Sequence, residues 1–303
     1  MSAGRDCPLC SSNDGELRGS FSSIELATKW RRALGIDISS ELGAVQQIER
    51  WGCSRCGLEY FLPSTLVGSP SLYVALEKFE WYYLPDKWEH RLALTDLAGV
   101  RRGLEIGSGF GDFVARASQL CPGFEGCEQN PSALRIAAER GLNVRNIDLE
   151  ELSRAEPASH DAVCAFQVLE HVGAPADFLE LCCKLLKPGG KLLLGLPNAA
   201  SYLRYHDNVL DLPPHHMTRW RENVMQALPR FFPLRLLKLA YEPLPPYQVS
   251  SFAQAHVSRL AHFRLFRSRR WRKLVEWGLR PEGIRRRFLG QGLYAVYERL
   301  EGA

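Results

Sequence analysis

The middle of the chain alternates short apolar runs with segments that carry apolar residues at helical spacing. The runs lie near Gly103, Phe124, Val144, Ala162 and Lys191, and the amphipathic segments lie near Phe113, Pro131 and Pro175. Strands that alternate with helices pair in parallel, because each crossover helix returns the chain to the same end of the sheet. The pattern predicts an α/β fold with a doubly wound, Rossmann-like sheet, which binds its ligand at the carboxyl ends of the strands.

Two other patterns precede this region. Apolar residues recur near helical spacing at Phe21, Ile24, Ala27, Trp30 and Leu34. They predict an amphipathic helix, which either packs on the neighbouring domain or lends its tryptophan to a ligand pocket. Aromatic residues then crowd the segment 69–97, which predicts a helical linker over residues 69–100 that Pro85 interrupts. The rings of this linker belong either to the core or to a ligand cleft at the domain junction.

A glycine loop follows the first apolar run of the alternating region. Residues 103–113 read G-L-E-I-G-S-G-F-G-D-F, so the strand breaks into a loop with an acid just before it. Glycine has no Cβ and permits positive φ, so a ligand can lie directly on such a backbone. The second apolar run also ends in an acid, Glu128, and a carboxylate there suits the two hydroxyls of a ribose. Asp112 stands where a nicotinamide-binding G-x-G-x-x-G would place its last glycine, which points to another nucleotide-like ligand.

Cysteine spacing predicts a metal site near the N-terminus. Four of the nine cysteines form two C-x-x-C pairs, Cys7 with Cys10 and Cys53 with Cys56. Two such knuckles can close a tetrahedron of thiolates around zinc and leave no open coordination position, so the site would be structural. The alternatives are two unrelated thiol pairs or a redox disulfide. Residues 1–68 are therefore predicted to form a zinc-ribbon-like module with the amphipathic helix inserted between its knuckles.

Composition narrows the classes of protein that the chain can belong to. A length of 303 residues fits one large α/β domain plus a smaller module. The chain has no apolar run of spanning length, and its first residues lack the core of a signal peptide, so a cytoplasmic location is expected. The net charge of +4 does not by itself indicate a nucleic-acid partner.

Five motifs in order resemble the class I S-adenosylmethionine-dependent methyltransferases. They are the glycine loop, Glu128, Asp148, the run D-A-V-C-A-F-Q-V-L-E-H-V and the run L-K-P-G-G-K-L-L-L. The resemblance implies a seven-stranded sheet whose last two strands, residues 234–244 and 292–300, pair antiparallel at one edge. It also implies that S-adenosylmethionine is held by Glu105, Gly107, Ser108, Gly109, Gly111, Glu128, Gln129, Asp148, Leu149 and Gln167. Within that set the glycine loop would hold the methionine part, Glu128 the ribose and Asp148 with Leu149 the adenine.

Narrower resemblances concern the metal and the acceptor. The run after the fourth strand is similar to ubiquinone-type O-methyltransferases, in which E-x-x-E-H can take part in divalent metal binding. Gln167 replaces the first acid here, so that metal is not carried over, and Glu170 is expected to face the N-terminus of the next helix. Small cysteine modules precede the catalytic domain in some methyltransferases of deoxysugar and polysaccharide pathways. That likeness implies a small-molecule or glycan-linked acceptor.

A loop predicted over residues 199–222 carries the candidates for acid-base chemistry. His215 and His216 follow two prolines just after the fifth strand, and imidazole titrates near neutral pH. The alternative is that both histidines brace the loop.

A basic helical insertion is predicted over residues 245–290, before the last strand. Its arginines, among them Arg264, Arg267 and Arg270, alternate with aromatic residues. Such a pattern suits an anionic membrane surface, here the inner face of the membrane, or a phosphate-bearing substrate. The alternative is a solvated face.

Together these patterns predict a methyltransferase domain over residues 101–303. It would move the methyl group of S-adenosylmethionine to a small-molecule, sugar or glycan-linked acceptor, with oxygen favoured over carbon. The alternative function is an RNA-binding or RNA-modifying methyltransferase that docks through the ribbon and the arginines, although no nucleic-acid motif is evident and no such partner is expected.

Overall fold

A computed structural model describes residues 6–205, 208–259 and 269–301. The strands are β1 (Gly15–Ser22), β2 (Gln47–Cys53), β3 (Glu59–Leu62), β4 (Arg102–Ile106), β5 (Gly123–Cys127), β6 (Val144–Arg145), β7 (His160–Phe166), β8 (Leu186–Pro197), β9 (Thr218–Arg219), β10 (Leu234–Pro243) and β11 (Leu289–Arg299). The helices are α1 (Ser23–Leu34), α2 (Ser39–Leu42), α3 (Pro70–Leu76), α4 (Trp88–Asp96), α5 (Asp112–Leu120), α6 (Pro131–Glu139), α7 (Leu149–Ala155), α8 (Pro175–Leu185), α9 (Glu222–Ala227), α10 (Val249–Arg259), α11 (Arg269–Gly278) and α12 (Glu282–Arg285).

The larger sheet has seven strands in the order β10-β11-β8-β7-β4-β5-β6. Strands β4 to β8 pair in parallel, whereas β11 is antiparallel to both β8 and β10. The prediction of a doubly wound, seven-stranded sheet with an antiparallel edge is therefore confirmed. The strand order reverses between β4 and β7, and a crevice opens at the carboxyl ends of strands at such a point.

The central strands are apolar because helices cover both of their faces. Leu104, Val163 and Leu192 lie on one face in one cluster of buried side chains, while Ala162 and Leu193 lie in another on the opposite face. Side chains alternate along a strand, so both faces of a buried parallel strand must be apolar. Because both faces of β4 and β7 are packed, the ends of these strands and the loops that follow them have defined positions.

The helix predicted between the knuckles is present as α1. Ser22 caps its first turn and Glu25 completes a capping box, and the helix ends at Gly35 with φ of 69°. The predicted apolar stripe is wrong at two positions, because Phe21 belongs to β1 and Ile24 is 78% exposed. Trp30 is fully buried as predicted, and so is Leu26, which the stripe did not include.

The N-terminal module forms a second sheet that includes a piece of the histidine loop. Its order is β1-β2-β3-β9, and β9 comes from the loop predicted over residues 199–222. A strand of two residues is too short to show a periodic pattern, so β9 could not be predicted. The module and the loop are therefore joined by backbone hydrogen bonds.

The linker and the insertion have the predicted helical character. The linker contains α3 and α4 separated by an irregular segment, residues 77–87, that includes Pro85. The insertion contains α10, α11 and α12, while Arg264 and Arg267 lie outside the described residues. Among the helices that the structure describes, none has the length and apolar character needed to cross a bilayer.

Candidate functional site

The glycine loop lies where β4 ends, in the crevice of the larger sheet. Gly107, Gly109 and Gly111 all have positive φ, and the last of them precedes α5. Glu105 is 3% exposed. Its Oε2, like Oγ of the buried Ser108, has no hydrogen-bond partner among the described residues. Burial also raises the pKa of Glu105 well above its usual value. Buried polar atoms without partners fit a ligand that brings its own polar groups.

Glu128, just after strand β5, binds the glycine loop. Its Oε2 accepts a hydrogen bond from the Gly109 backbone N–H at 2.8 Å. Its Oε1 accepts two more, from the backbone N–H groups of Gln129 and Asn130, each at 2.8 Å. The carboxylate thus lies at the mouth of the glycine loop, where a ribose diol would meet it. The side chain of Gln129 is exposed.

Asp148 and Leu149 lie farther along the same edge of the sheet. Asp148 is exposed, and its Oδ1 caps α7 by accepting from the Glu150 N–H at 2.8 Å. Only one oxygen is used by the cap, so the other is left for a ligand such as the adenine amino group. Leu149 is the first residue of α7 and is half-buried beside it.

Gln167 follows β7 with φ of +59°, a left-handed conformation that is rare outside glycine. Its side-chain amide donates to Oε1 of Glu89, from α4, at 3.0 Å. Backbone strain of this kind collects at functional sites, where the surrounding structure holds a side chain in place. The amide that replaces the first acid of E-x-x-E-H is therefore engaged with a carboxylate.

A cavity of about 240 Å³ lies beyond Gln167. The histidine loop and Glu170 form one wall, and the linker forms another with Trp81, Tyr82, Tyr83 and Lys87. Tyr83 also packs 4.5 Å from Phe110 of the glycine loop. Sequence reasoning proposed that linker rings could line a cleft but did not single out Lys87, whose charge faces the same space. A lone lysine in a charged segment gives no signal of its own.

His171 is half-buried and His215 is buried, and their surroundings favour the neutral form of both rings. Nδ1 of His171 lies 2.6 Å from the His215 carbonyl oxygen, and Nδ1 of His215 lies 2.8 Å from the Leu210 carbonyl oxygen. Tyr82 Oη lies 2.9 Å from the other nitrogen of His215. Burial is the main cause that lowers the pKa of His171 to about 3 and that of His215 well below its usual value. The rings of His171 and His215 are 4.5 Å apart and edge to face, so His171 belongs to one cluster with the histidines of the loop.

His216 has a different environment. Its ring stacks on His215 at 4.5 Å, and its Nδ1 lies 3.4 Å from Oδ1 of Asp211. A carboxylate at Nδ1 fixes the tautomer of an imidazole and leaves Nε2 to take a proton. Ring nitrogens of His171, His215 and His216 lie within 4.8 Å of one another. The lone pair of His215 Nε2 is already taken by Tyr82, so the cluster is better arranged for handling protons than for holding a metal.

Glu170 lines the same cavity, with its Oε1 3.8 Å from Nε2 of His171. It is 1% exposed, and neither carboxylate oxygen has a hydrogen-bond partner in the described parts of the chain. The expectation that it meets the N-terminus of a helix is wrong, because it lies in a single 3-10 turn, Leu169–His171. Burial raises its pKa to about 7, against the opposing effects of His216 and Lys87.

The four predicted metal ligands lie together in the N-terminal module. Sγ of Cys7 is 3.5 Å from Sγ of Cys56, and Sγ of Cys10 is 3.5 Å from Sγ of Cys53. Zinc–sulfur bonds of about 2.3 Å in a tetrahedron give sulfur–sulfur distances of roughly 3.8 Å, so the four thiols fit a zinc ion with little movement. The ion would hold the knuckles together, as predicted.

Comparisons with known proteins agree with this geometry. Residues 104–192 match the family model described as a methyltransferase domain. A ubiquinone biosynthesis O-methyltransferase of Xanthomonas oryzae is 32% identical over 120 residues, which cover 38% of this chain and 50% of that protein. The enzyme of the same name from Dechloromonas aromatica is 29% identical over 171 residues, covering 49% and 71%. A solved methyltransferase structure from Thermotoga maritima, titled a possible histamine N-methyltransferase, covers 76% of this chain and 97% of its own, at 17% identity and a TM-score of 0.48.

The sheet order, the glycine loop and the acids at the strand ends are those that the resemblance to S-adenosylmethionine-dependent methyltransferases implied. The family match assigns residues 104–192 to a methyltransferase domain, and the predicted resemblance to the class I enzymes is confirmed. The chain spans about half the length of the first curated relatives that it matches. The family match covers the sheet from β4 into β8 and leaves out the cysteine module, the linker and the whole histidine loop.

Replacing Glu128 by Ala should weaken S-adenosylhomocysteine binding. The change removes both the expected ribose contacts and the acceptor that holds the glycine loop, which costs on the order of 1 to 3 kcal/mol. Calorimetry should therefore show a dissociation constant raised by roughly 5- to 150-fold. Glu139→Ala, at an exposed position of α6, is the matched control and should bind normally. Unchanged affinity in Glu128→Ala would contradict the ribose assignment.

Replacing Glu170 by Gln should stabilise the protein above neutral pH. The folded-state pKa is about 7, above the ordinary value of 4.5, so wild-type stability falls as pH rises between those values. The shift corresponds to about 3 kcal/mol. The free energy of unfolding in urea should therefore rise for the variant relative to wild type, by about 3 kcal/mol in all, as the pH goes from about 4.5 to about 8. Glu180→Gln, exposed on α8, should show no such trend, and an equally flat profile for Glu170→Gln would refute the burial argument.

Proposed function

We propose that this chain transfers the methyl group of S-adenosylmethionine to a hydroxyl oxygen of a small-molecule, sugar or glycan-linked acceptor. The observation that carries the proposal is the pairing of His216 with Asp211 at 3.4 Å on the wall of the cavity beside Gln167. A base so placed lies where an acceptor must approach the crevice that holds the cofactor.

The reaction needs few protein groups. When bound, S-adenosylmethionine would supply an electrophilic methyl group and would keep the electrons of the broken sulfur–carbon bond as S-adenosylhomocysteine. Nε2 of His216 would take the proton of the acceptor hydroxyl as its oxygen gains the methyl group. Asp211 stabilises the imidazolium, and the walls of the cavity align the reacting atoms.

His215 and Tyr82 are given a different role. With Leu210 at one nitrogen and Tyr82 at the other, His215 has no free position for a substrate proton. It braces the linker against the histidine loop and supports the ring of His216. Of the two adjacent histidines, His216 is therefore our candidate for the base.

The lining of the cavity suits a hydroxylated acceptor. Trp81 and Tyr82 offer aromatic faces on one side, while Asn208, Glu242 and Gln291 offer hydrogen-bonding groups on the other. Sugars bind between such surfaces because their C–H faces stack on rings and their hydroxyls need polar partners. The name O-methyltransferase borne by the partial relatives supports oxygen over carbon as the acceptor atom.

His216→Ala should lower turnover roughly 100-fold or more, the usual scale of general-base catalysis, and leave S-adenosylhomocysteine affinity unchanged. An acceptor is first identified by mass spectrometry after labelled S-adenosylmethionine is incubated with sugar nucleotides, hydroxylated phenols and RNA, and NMR of the labelled methyl separates O- from C-methyl products. His256→Ala, outside the cavity, is the control. Wild-type turnover in His216→Ala would contradict the assignment of the base, and labelling of RNA alone would favour the alternative substrate class.

We also propose that the insertion contacts an anionic lipid surface. On α11, Leu274 and Trp277 are exposed beside Arg270 and Lys273, and exposed apolar side chains with cations suit the interface of a charged bilayer. The insertion reaches the cavity because Phe252 of α10 packs 5.5 Å from Tyr202, next to the lining residue Leu203. An acceptor carried at a membrane surface would thus meet the cavity.

Vesicles with anionic lipid should bind the protein at low salt and release it at high salt, because exposed charge is screened. Replacing Leu274 and Trp277 together by Ala should reduce sedimentation with these vesicles severalfold. The matched control replaces Ile24 and Leu237, which are exposed elsewhere, and should sediment like wild type. Equal recovery with neutral and anionic vesicles would argue against the lipid surface.

A further inference from the structure

The histidine loop is anchored to the cysteine module on both sides of its two histidines. Before them, the Gly68 N–H donates to the Pro214 carbonyl at 2.8 Å. After them, the Phe61 N–H donates to the Met217 carbonyl at 3.0 Å, and β3 pairs with β9. These contacts come from β3 and from the chain that follows it. The position of His216 in the cavity is thus set by a strand of the module.

A buried charge reinforces this anchor. Glu59, in β3, is largely buried and binds Arg221 just after β9. Arg219 of β9 adds a second ion pair with Glu59 at 3.7 Å. A carboxylate removed from water in this way needs its cationic partners, so the loop residues are drawn to one place on β3.

The start of β3 is in turn determined by the second knuckle. The Cys53 N–H donates to the Leu58 carbonyl at 2.9 Å, and the Gly57 N–H donates to the Cys53 carbonyl at 3.0 Å. Glu59 follows this turn directly. Any loosening of the knuckle would therefore pass to β3 within one residue.

The rest of the module presses on the same loop. Trp30 of α1 is fully buried with its ring 6.4 Å from His215, edge to face. Met217 belongs to the same buried cluster as Trp30 and Phe61. In contrast, the glycine loop and Glu128 receive no hydrogen bond from described residues of the module. The hydrogen bonds from the module to the site thus reach its acceptor side, whereas its knuckle cysteines only share a buried apolar cluster with Leu104 and Ile106 of β4.

We propose that zinc binding by the cysteine module positions the histidine loop for methyl transfer, with Glu59 as the positioning residue that links the two. Zinc closes the knuckle, the knuckle sets β3, and Glu59 holds Arg219 and Arg221 so that His216 stays beside Asp211. The consequence for catalysis rests on the proposed role of His216. The mechanical coupling does not, and it can be measured without an acceptor.

The first experiment compares zinc-loaded protein with protein stripped by a chelator, using hydrogen exchange and metal analysis. Loaded protein should contain one zinc per chain, and stripping should speed exchange in residues 215–221 roughly tenfold or more, since those amides lose their anchor. Exchange in residues 104–115 and the affinity for S-adenosylhomocysteine should stay within about twofold. Unchanged exchange in the loop would overturn the proposal. An equal rise across both segments would also overturn it, because zinc would then hold the whole fold.

The second experiment leaves the metal in place and changes Glu59. Glu59→Gln should shift the imidazole NMR signals of His215 and His216 and speed exchange in residues 215–221, while the signals of His90 and His160 stay in place. Glu59→Asp, which keeps the charge, should restore part of both effects. Glu298→Gln removes another arginine-bound glutamate, on β11, and should do neither. If Glu298→Gln matches Glu59→Gln, or if Glu59→Gln leaves the loop signals unmoved, Glu59 is not a positioning residue.

Discussion

The order of the strands in the larger sheet reverses between β4 and β7. Because β4 continues to β5 on one side and β7 to β8 on the other, the loops that leave these strands diverge and open a crevice. The glycine loop lies on one side of the crevice, after β4, and the turn with Gln167 and Glu170 lies on the other side, after β7. The linker, the histidine loop and the insertion each contribute side chains to the walls around that opening.

Inside the crevice, burial disfavours the charged form of two carboxyl groups. Glu105 and Glu170 both lie at the ends of strands with almost no exposure, and each has at least one oxygen without a described partner. Desolvation raises the pKa of both carboxyls, and Lys87 opposes it in each case. A site of this kind favours a ligand with its own positive charge, as the sulfonium and ammonium groups of S-adenosylmethionine provide.

The parts of the fold that could be predicted are those with a repeated local pattern. The buried parallel strands, the capped helix α1 and the cysteine pairs each follow from residues close together in the chain. The parts that could not be predicted depend on contacts between distant segments. The strand β9 has two residues, and Lys87 carries no motif. His215 and His216 differ because Tyr82 of the distant linker contacts His215, while the fold of the loop itself brings Asp211 to His216. Two adjacent histidines cannot be assigned different roles from the sequence, because their roles depend on the side chains that contact each of them in the folded chain.

The ion pair between Glu59 and Arg221 joins residues that are 162 positions apart. Closing so long a loop has an entropic cost that must be met before the contact gives any stability, so such contacts form late in folding. The crevice for the cofactor uses shorter connections between consecutive strands and helices and can assemble first. In a growing chain, the strands around the glycine loop are therefore expected to pair before the wall that carries His216, and β3 has no β9 to pair with until residues 218–219 are made.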